Sequence, residues 1–224
     1  MRMSLNKNLM LSLAIATMMG VPCFAQETAA TEPAKAETAV AENVEGQKVT
    51  MENETLKIIH QRKSVRNFTD KPVTKEQLET LVKAGMAAPT AINAQPWSFI
   101  VVDDPEVKAL YAKGNFQEPM INKASALIVV CGEMSIVEEK KIGEYWVQDC
   151  SAATENILLA AESLGLGAVW TGTYPKEDRV KVTREVFGIP ENVIPLCVIV
   201  VGNPEGTDMP KDKYKAERIH WNKY

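Results

Sequence analysis

The stretch from Glu144 to Leu164, EYWVQDCSAATENILLAAESL, constrains the fold more than any other part of the sequence. As a helix it is apolar over most of its circumference and rich in small residues, and Gly165 and Gly167 follow its end. A helix that is apolar all round has to be buried on every side. A chain of this size is too small to cover such a helix on every side, so we expect a second copy to complete the core in a homodimer.

Further segments carry helical signals at their ends. Thr74 and Gln77 form a capping box before an amphipathic stretch that stops at Pro89. Asp104 and Pro105 begin another helix, with proline in its first turn. The two other predicted helices are a short one from Leu56 that ends near Arg62 and one over residues 176–188 that Gly188 closes.

Four short apolar segments, rich in Val and Ile and bounded by turn residues, predict strands. The segment SALIVVCG is apolar throughout, which is typical of a strand buried on both faces. Helices and strands mix without a strict strand-helix-strand alternation, so we predict the α+β class, with a mostly antiparallel central sheet flanked by helices. The predicted strands are residues 97–104, 125–132, 167–175 and 194–204.

Residues 1–25 have the features of a secretory signal peptide. Arg2 and Lys7 precede a short apolar run, and Cys23 to Ala25 form a small-x-small cleavage site before Gln26. The run is shorter than the roughly 20 residues of a membrane-spanning helix, so we expect no membrane insertion after cleavage. An uncleaved anchor is the alternative, and a twin-arginine or lipoprotein signal fits less well. We predict export to the periplasm.

Residues 26–51 are rich in Ala, Glu and Thr and lack an apolar period, which predicts a disordered tether. Residues 52–224 then suit one compact domain. Removing Arg2 and Lys7 changes the net charge from −4 to −6, and five Glu and two Lys give the tether −3 of that. The domain is therefore only mildly acidic, and we predict no nucleic acid among its partners.

The cysteines and histidines favour neither a metal site nor a hydrolytic centre. Cys131 and Cys197 lie in apolar runs and Cys150 in the helical segment, so buried, inert thiols are favoured, although an oxidising compartment would permit one disulfide. His60 and His220 are the only histidines, and neither HExxH nor Gly-x-Ser-x-Gly occurs. Zinc hydrolysis and Ser-His-Asp chemistry are therefore disfavoured.

Three cations lie within five positions in the segment RKSVRNF, residues 62–68. If this segment is extended, Arg62, Ser64 and Arg66 project to one side. Two guanidinium groups and a hydroxyl on one face predict a phosphate clamp, because arginine binds phosphate through paired, charge-assisted hydrogen bonds. For this motif alone, a solvated basic turn is the alternative.

Two other segments carry groups suited to a flat heterocycle. The segment AAPTAINAQPWSF offers Thr90, Asn93 and Gln95, and side chains that donate and accept suit a ring edge with alternating C=O and N–H groups. In LGLGAVWTGTYP, Gly172 allows a flat ligand to approach the backbone of a strand. A polar loop beside a core tryptophan is the alternative explanation of the first segment.

Taken together and in order, these segments resemble the FMN-dependent nitroreductase family. The resemblance extends from Leu56 to Trp221 and rests on RKSVRNF, AAPTAINAQPWSFIVV, AAESLGLGAVWTG and the tail PKDKYKAERIHWNKY. It implies a nitroreductase-like α+β homodimer with two FMN sites, each built from both subunits at the interface. It also implies that the anion bound by residues 62–66 is the phosphate of FMN.

The resemblance implies roles for individual residues and no catalytic acid or base, because the flavin carries the electrons. Arg62 and Ser64 resemble the family residues that contact the phosphate and the ribityl chain. Arg66 resembles the cation beside the flavin pyrimidine, where negative charge develops on reduction. Thr90 and Asn93 resemble contacts to the pyrimidine and ribityl groups. The remaining candidates are Lys63 in the basic run, Gln95 in the loop, Trp170, Thr171 and Gly172 along the ring near N5, and Lys211, Lys213 and Arg218 over the phosphate.

The implied activity is transfer of two electrons from a reduced donor such as NADH or NADPH, through FMN, to a nitroaromatic, quinone or similar flat acceptor. One alternative is a reductive dehalogenase of the same fold, although residues 107–123 show no equivalent of its lid. Another is an exported flavin-binding protein without turnover. We do not expect nicotinamides to be abundant outside the inner membrane, so export predicts a different native reductant.

Overall fold

The structure is a computed structural model that describes residues 40–42, 48–50, 53–113 and 117–224. The predicted signal peptide, residues 1–25, and most of the predicted tether lie outside these ranges. Within the tether, strands β1 (Val40–Glu42) and β2 (Lys48–Thr50) pair in an antiparallel ladder. The sequence does not predict this ladder, because three-residue strands are too short to show an alternation of side chains.

Four longer strands form one sheet: β3 (Trp97–Val102), β4 (Ala126–Glu133), β5 (Gly167–Gly172) and β6 (Val193–Gly202). They lie in the order β3-β4-β6-β5, and every neighbouring pair is antiparallel. The central strands β4 and β6 are buried almost throughout, as their continuous apolar sequences predict. The predicted α+β class is confirmed, and β5, which carries three candidate site residues, lies at one edge of the sheet.

The helices are α1 (Glu54–Gln61), α2 (Lys75–Met86), α3 (Pro105–Ala112), α4 (Glu118–Lys123), α5 (Met134–Lys140), α6 (Tyr145–Ser163) and α7 (Glu177–Phe187). The predicted capping box is present in α2, where Gln77 N–H donates to Thr74 Oγ1 and Thr74 N–H donates to Gln77 Oε1. Helices α4 and α5 are not predicted from the sequence, because six or seven residues show too little of a helical period. In the described ranges, no helix is long and apolar enough to cross a membrane.

Both faces of the sheet are covered. Leu81 of α2 and Ile157 of α6 pack against one face, in a cluster that includes Ile128 and Ile199 of the central strands. Ile121 of α4 belongs to a second cluster on the other face, together with residues of α3 and β4. The fold therefore has a central sheet between two helical layers, with α6 in one of them.

Helix α6 is buried along only one side within a single subunit. Cys150 and Ile157 are fully buried, whereas Ala152 and Leu159 are half-buried and Tyr145 is 57 % exposed. The apolar circumference of the helix predicts burial on every side. A single subunit does not provide this burial. The half-buried side remains as a surface that another chain can cover.

The carboxyl-terminal tail lies on the surface. Every residue from 204 to 224 is exposed, including the aromatic side chains of Tyr214, Trp221 and Tyr224. Large exposed apolar side chains that follow one another along a segment are typical of surfaces that bind a partner.

Candidate active site

The basic segment is anchored to the edge of the sheet. Arg62 N–H donates to Ile58 O at 2.9 Å, which closes α1, and Val65 N–H donates to Ala168 O of β5 at 3.0 Å. Val65 is buried, and a Cβ on Gly167 would lie 2.7 Å from Val65 Cγ1. The neighbouring Ser64 and Arg66 are exposed, as expected of an extended segment. The cations of this segment are thereby fixed beside β5.

Two carboxylates of α6 engage the first two cations. Glu155 Oε1 lies 2.8 Å from Arg62 Nε, and Glu162 Oε1 lies 2.9 Å from Lys63 Nζ. The Arg62 Nε–H is buried but is not aligned with a hydrogen-bond acceptor among the described residues. Helix α6 therefore holds both cations, and its contact with Arg62 is on the Nε side of the guanidinium.

Arg62 shares a hollow of about 670 Å³ with the tail cations Lys211 and Lys213. We call it the basic hollow. The structure thus brings together three predicted phosphate contacts from opposite ends of the domain. Arg218 lies in a short 3₁₀ turn and does not line this hollow. The other lining residues are Ile59, His60, Pro210, Asp212 and Tyr214.

Arg66 lines a different hollow of about 520 Å³, beside Lys123 and Met120. Arg62 and Arg66 therefore each line a separate hollow. Arg62 lies at the end of α1, whereas Arg66 follows the anchored Val65. Separate hollows agree with the separate roles that the family resemblance implies for the two arginines.

The three polar candidates of the loop at residues 90–95 lie together. Gln95 N–H donates to Thr90 Oγ1 at 3.1 Å, and Gln95 Nε2 donates to Asn93 Oδ1 at 3.3 Å. Ile92, Asn93 and Gln95 have φ angles of 46°, 57° and 52°, in the left-handed region. The sequence gives no sign of this backbone, because none of the three residues is glycine.

The three candidates on β5 differ in what they can offer a ligand. Trp170 is 36 % exposed, and a Cβ on Gly172 would meet nothing within 4 Å, so the strand is open there. Thr171 is buried, and its hydroxyl donates to Val198 O at 2.7 Å. The side chain of Thr171 is therefore unavailable, and a contact to a ligand would involve its backbone.

Helix α6 supports both the loop and the basic segment, but on different sides. Ala91 N–H in the loop donates to Asp149 Oδ1 at 3.0 Å, whereas Glu155 and Glu162 hold the basic segment. Asp149 and Glu155 are six residues apart, which is ~9 Å along the axis and about 240° around it. The sequence analysis does not identify Asp149, Glu155 or Glu162. The seven-residue spacing of Glu155 and Glu162, which puts them on one face of the helix, is the one sequence signal for the two glutamates.

The three cysteines of the described chain are free and buried. Burial raises the pKa of Cys131 and of Cys197 to about 12 and raises the pKa of Cys150 as well. These thiols therefore stay protonated and unreactive, as their apolar surroundings predict. In the described ranges, no group of three or more His, Cys, Asp or Glu side chains could hold a metal ion.

Comparison with known families agrees with this geometry. The family model described as Nitroreductase family matches residues 59–114 and 108–203. These two ranges contain the basic segment, the loop at residues 90–95, α6 and the four-stranded sheet.

Individual proteins give the same result across almost the whole domain. A protein from Archaeoglobus fulgidus, provisionally named an NADH dehydrogenase/NAD(P)H nitroreductase, is 44% identical over 174 residues, covering 76% of this chain and 99% of its own. The FMN reductase (NADPH) of Bacillus subtilis is 32% identical, covering 77% of this chain and 75% of its own. A crystal structure from Bacteroides thetaiotaomicron, with the same provisional name as the first protein, is 44% identical with a TM-score of 0.73, covering 78% of this chain and 100% of its own.

Proposed function

Because the chain belongs to the nitroreductase family, we propose that it passes two electrons from a reduced donor to a nitroaromatic, a quinone or a similar flat acceptor. It is an FMN-dependent NAD(P)H oxidoreductase, in agreement with the names of its relatives.

The basic hollow is the observation that carries this proposal. Arg62, Lys211 and Lys213 line it together, and Glu155 pairs with the Nε side of the Arg62 guanidinium. A phosphate monoester suits such a group of cations, because its oxygens accept several charge-assisted hydrogen bonds. The open space at Gly172 of β5 also suits a flat ring that lies against the strand. The residues present therefore fit FMN.

Bound FMN supplies the electron transfer, and the residues of the chain bind it and adjust its electronics. Arg62, Lys211 and Lys213 hold the phosphate through charge-assisted hydrogen bonds. Arg66 supplies a fixed positive charge beside the pyrimidine, which stabilises negative charge there in the reduced state. The proposal needs no protein acid or base.

We place each FMN site at the interface of a homodimer. The half-buried side of α6 and the exposed aromatic tail are surfaces that a second copy can cover. The loop at residues 90–95 and the basic segment attach to different sides of α6, which supports a site that takes them from different subunits. Sedimentation at micromolar concentration should show a dimer, and a monodisperse, FMN-loaded monomer would contradict this arrangement.

We also propose that the protein is exported, on the basis of its amino-terminal sequence. The basic and apolar residues of positions 1–25 support a cleaved signal, and the protein would then acquire FMN outside the inner membrane. Fractionation of native cells should find flavin-loaded protein that begins at Gln26. Uncleaved, flavin-loaded protein in the cytoplasm would contradict export and leave the activity unaffected.

Steady-state kinetics test the proposed activity. With NADH or NADPH as the donor and a benzoquinone or a nitroaromatic as the acceptor, we expect ping-pong kinetics, because both substrates react in turn at one flavin. If dithionite bleaches the bound flavin and neither nicotinamide does, the protein is a flavin-binding protein without turnover. Release of halide from a halogenated aromatic, without reduction of quinones, would instead support the dehalogenase alternative.

A further inference from the structure

The loop at residues 90–95 has an unfavourable backbone that its own residues do not explain. Ile92, Asn93 and Gln95 all have φ between 46° and 57°. Asparagine tolerates this region, but a β-branched residue such as isoleucine rarely adopts it. The Ile92 side chain is 75 % exposed, so burial of that side chain does not offset the strain. Such a conformation persists only where the surrounding structure imposes it.

Contacts on the inner side of the loop hold this conformation. Ala91 and Ala94 pack against the main core cluster, and Thr90 Oγ1 accepts the Gln95 N–H. Ala91 N–H donates to Asp149 Oδ1 at 3.0 Å, which joins the loop to α6. Asp149 lies near the amino end of α6 and is only 5 % exposed.

The burial of Asp149 is costly for the fold. Its Oδ2 atom is buried without a hydrogen-bond partner among the described residues. A buried carboxylate with one unsatisfied oxygen destabilises a protein. Stability alone would favour an apolar side chain here, so the contact with the loop is the feature that accounts for the carboxylate.

We propose that Asp149 is a positioning residue, which holds the loop at residues 90–95 so that Asn93 and Gln95 present their amides to the flavin ring and ribityl chain. This inference rests on the proposed function. The loop is distinct from the basic hollow, so a displaced loop should weaken binding of FMN and riboflavin by the same factor. Loss of a cation from the basic hollow should instead weaken FMN alone, because riboflavin has no phosphate.

The test measures dissociation constants of FMN and riboflavin for the full chain and its variants. Asp149→Ala should weaken both flavins about tenfold, equivalent to about 1.4 kcal/mol. Asp149→Asn keeps an acceptor for the Ala91 N–H, so both flavins should bind within about threefold of the original protein. Lys213→Ala provides the contrast, since it should weaken FMN and leave riboflavin unchanged.

A second variant tests the same hydrogen bond from the exposed loop. Ala91→Pro removes the donor, and Thr90, with φ −136° and ψ 157°, already has the backbone that precedes proline. It should reproduce the loss seen with Asp149→Ala, and the double variant should lose no more than either single one. Thermal unfolding of each flavin-free variant separates loop displacement from global unfolding.

Unchanged flavin binding in Asp149→Ala or Ala91→Pro would overturn the proposal, as would a loss in Asp149→Asn equal to that in Asp149→Ala. If Asp149→Ala does not fold, Ala91→Pro decides the question alone. If the unaltered protein binds no FMN, the proposed function fails instead, so the two failures are distinguishable.

Discussion

Replacing Lys213 with alanine should weaken FMN and leave riboflavin unaffected. Lys213 lines the basic hollow with Arg62 and Lys211, and the only ligand group that needs this positive charge is the phosphate. A hydrogen bond to a charged group contributes about 1.5 to 3 kcal/mol. Lys213 is exposed and lines the hollow with two other cations, so we expect the lower end of that range, roughly a tenfold increase in the FMN dissociation constant.

Lys215→Ala is the matched control. Lys215 is also an exposed lysine of the tail, two positions further along, but it does not line the basic hollow. The two substitutions remove the same charge, so an effect of net charge alone would be equal in both. Quenching of flavin fluorescence gives the dissociation constants of FMN and riboflavin for the original protein and for both variants, and titrations at low and high salt show whether the interaction is electrostatic.

The phosphate assignment would be refuted by either of two results. One is an equal loss of FMN and riboflavin in Lys213→Ala, which would place Lys213 against the ring or the ribityl chain. The other is an equal loss of FMN in the Lys213 and Lys215 variants, which would show a general attraction between the basic tail and anions. High salt should reduce the difference between the FMN affinities of the original protein and Lys213→Ala.

Four further substitutions test other parts of the structure. Arg66→Gln should leave FMN bound, because a hydrogen-bonding group remains, but it should lower the flavin reduction potential in a redox titration, because the positive charge is lost. An unchanged potential would contradict the proposed role of Arg66 as a cation beside the pyrimidine. Gly167→Ala should destabilise the fold by about 1 to 3 kcal/mol in urea denaturation, since its Cβ would lie 2.7 Å from Val65 Cγ1. Gly172→Ala on the same strand, where a Cβ meets nothing within 4 Å, should instead keep the stability and weaken flavin binding. Burial raises the pKa of Cys131 from 9.0 to about 12, so between these pH values the folded state holds a proton that the unfolded state releases. The free energy of unfolding should therefore fall as pH rises from about 9 towards 12. Cys131→Val should reduce this fall.

The helices and strands were accessible from the sequence wherever their signals are local. The capping box of Thr74 and Gln77 and the closure of α7 by Gly188, with φ 64°, depend on a few neighbouring residues. The continuous apolar runs of β4 and β6 identify the centre of the sheet, because only a strand covered on both faces can be apolar throughout. The short helices α4 and α5 lack a comparable signal.

The candidate site was only partly accessible, because its geometry depends on distant contacts. The meeting of Arg62 with Lys213 follows from the path of the tail, and sequence spacing alone does not reveal it. The buried hydroxyl of Thr171 and the left-handed backbone at Ile92 depend on tertiary packing. Asp149 acts through a hydrogen bond that spans 58 positions of the chain, and no local motif predicts it.

A crystal structure of the FMN-loaded protein tests the central claim most directly. We expect a dimer in which the flavin phosphate lies within hydrogen-bond distance of Arg62 and Lys213 of one subunit, with the ring against β5 and Asn93 of the partner subunit in contact with the flavin. A flavin whose phosphate lies outside the basic hollow, or whose contacts all come from one subunit, would contradict this account.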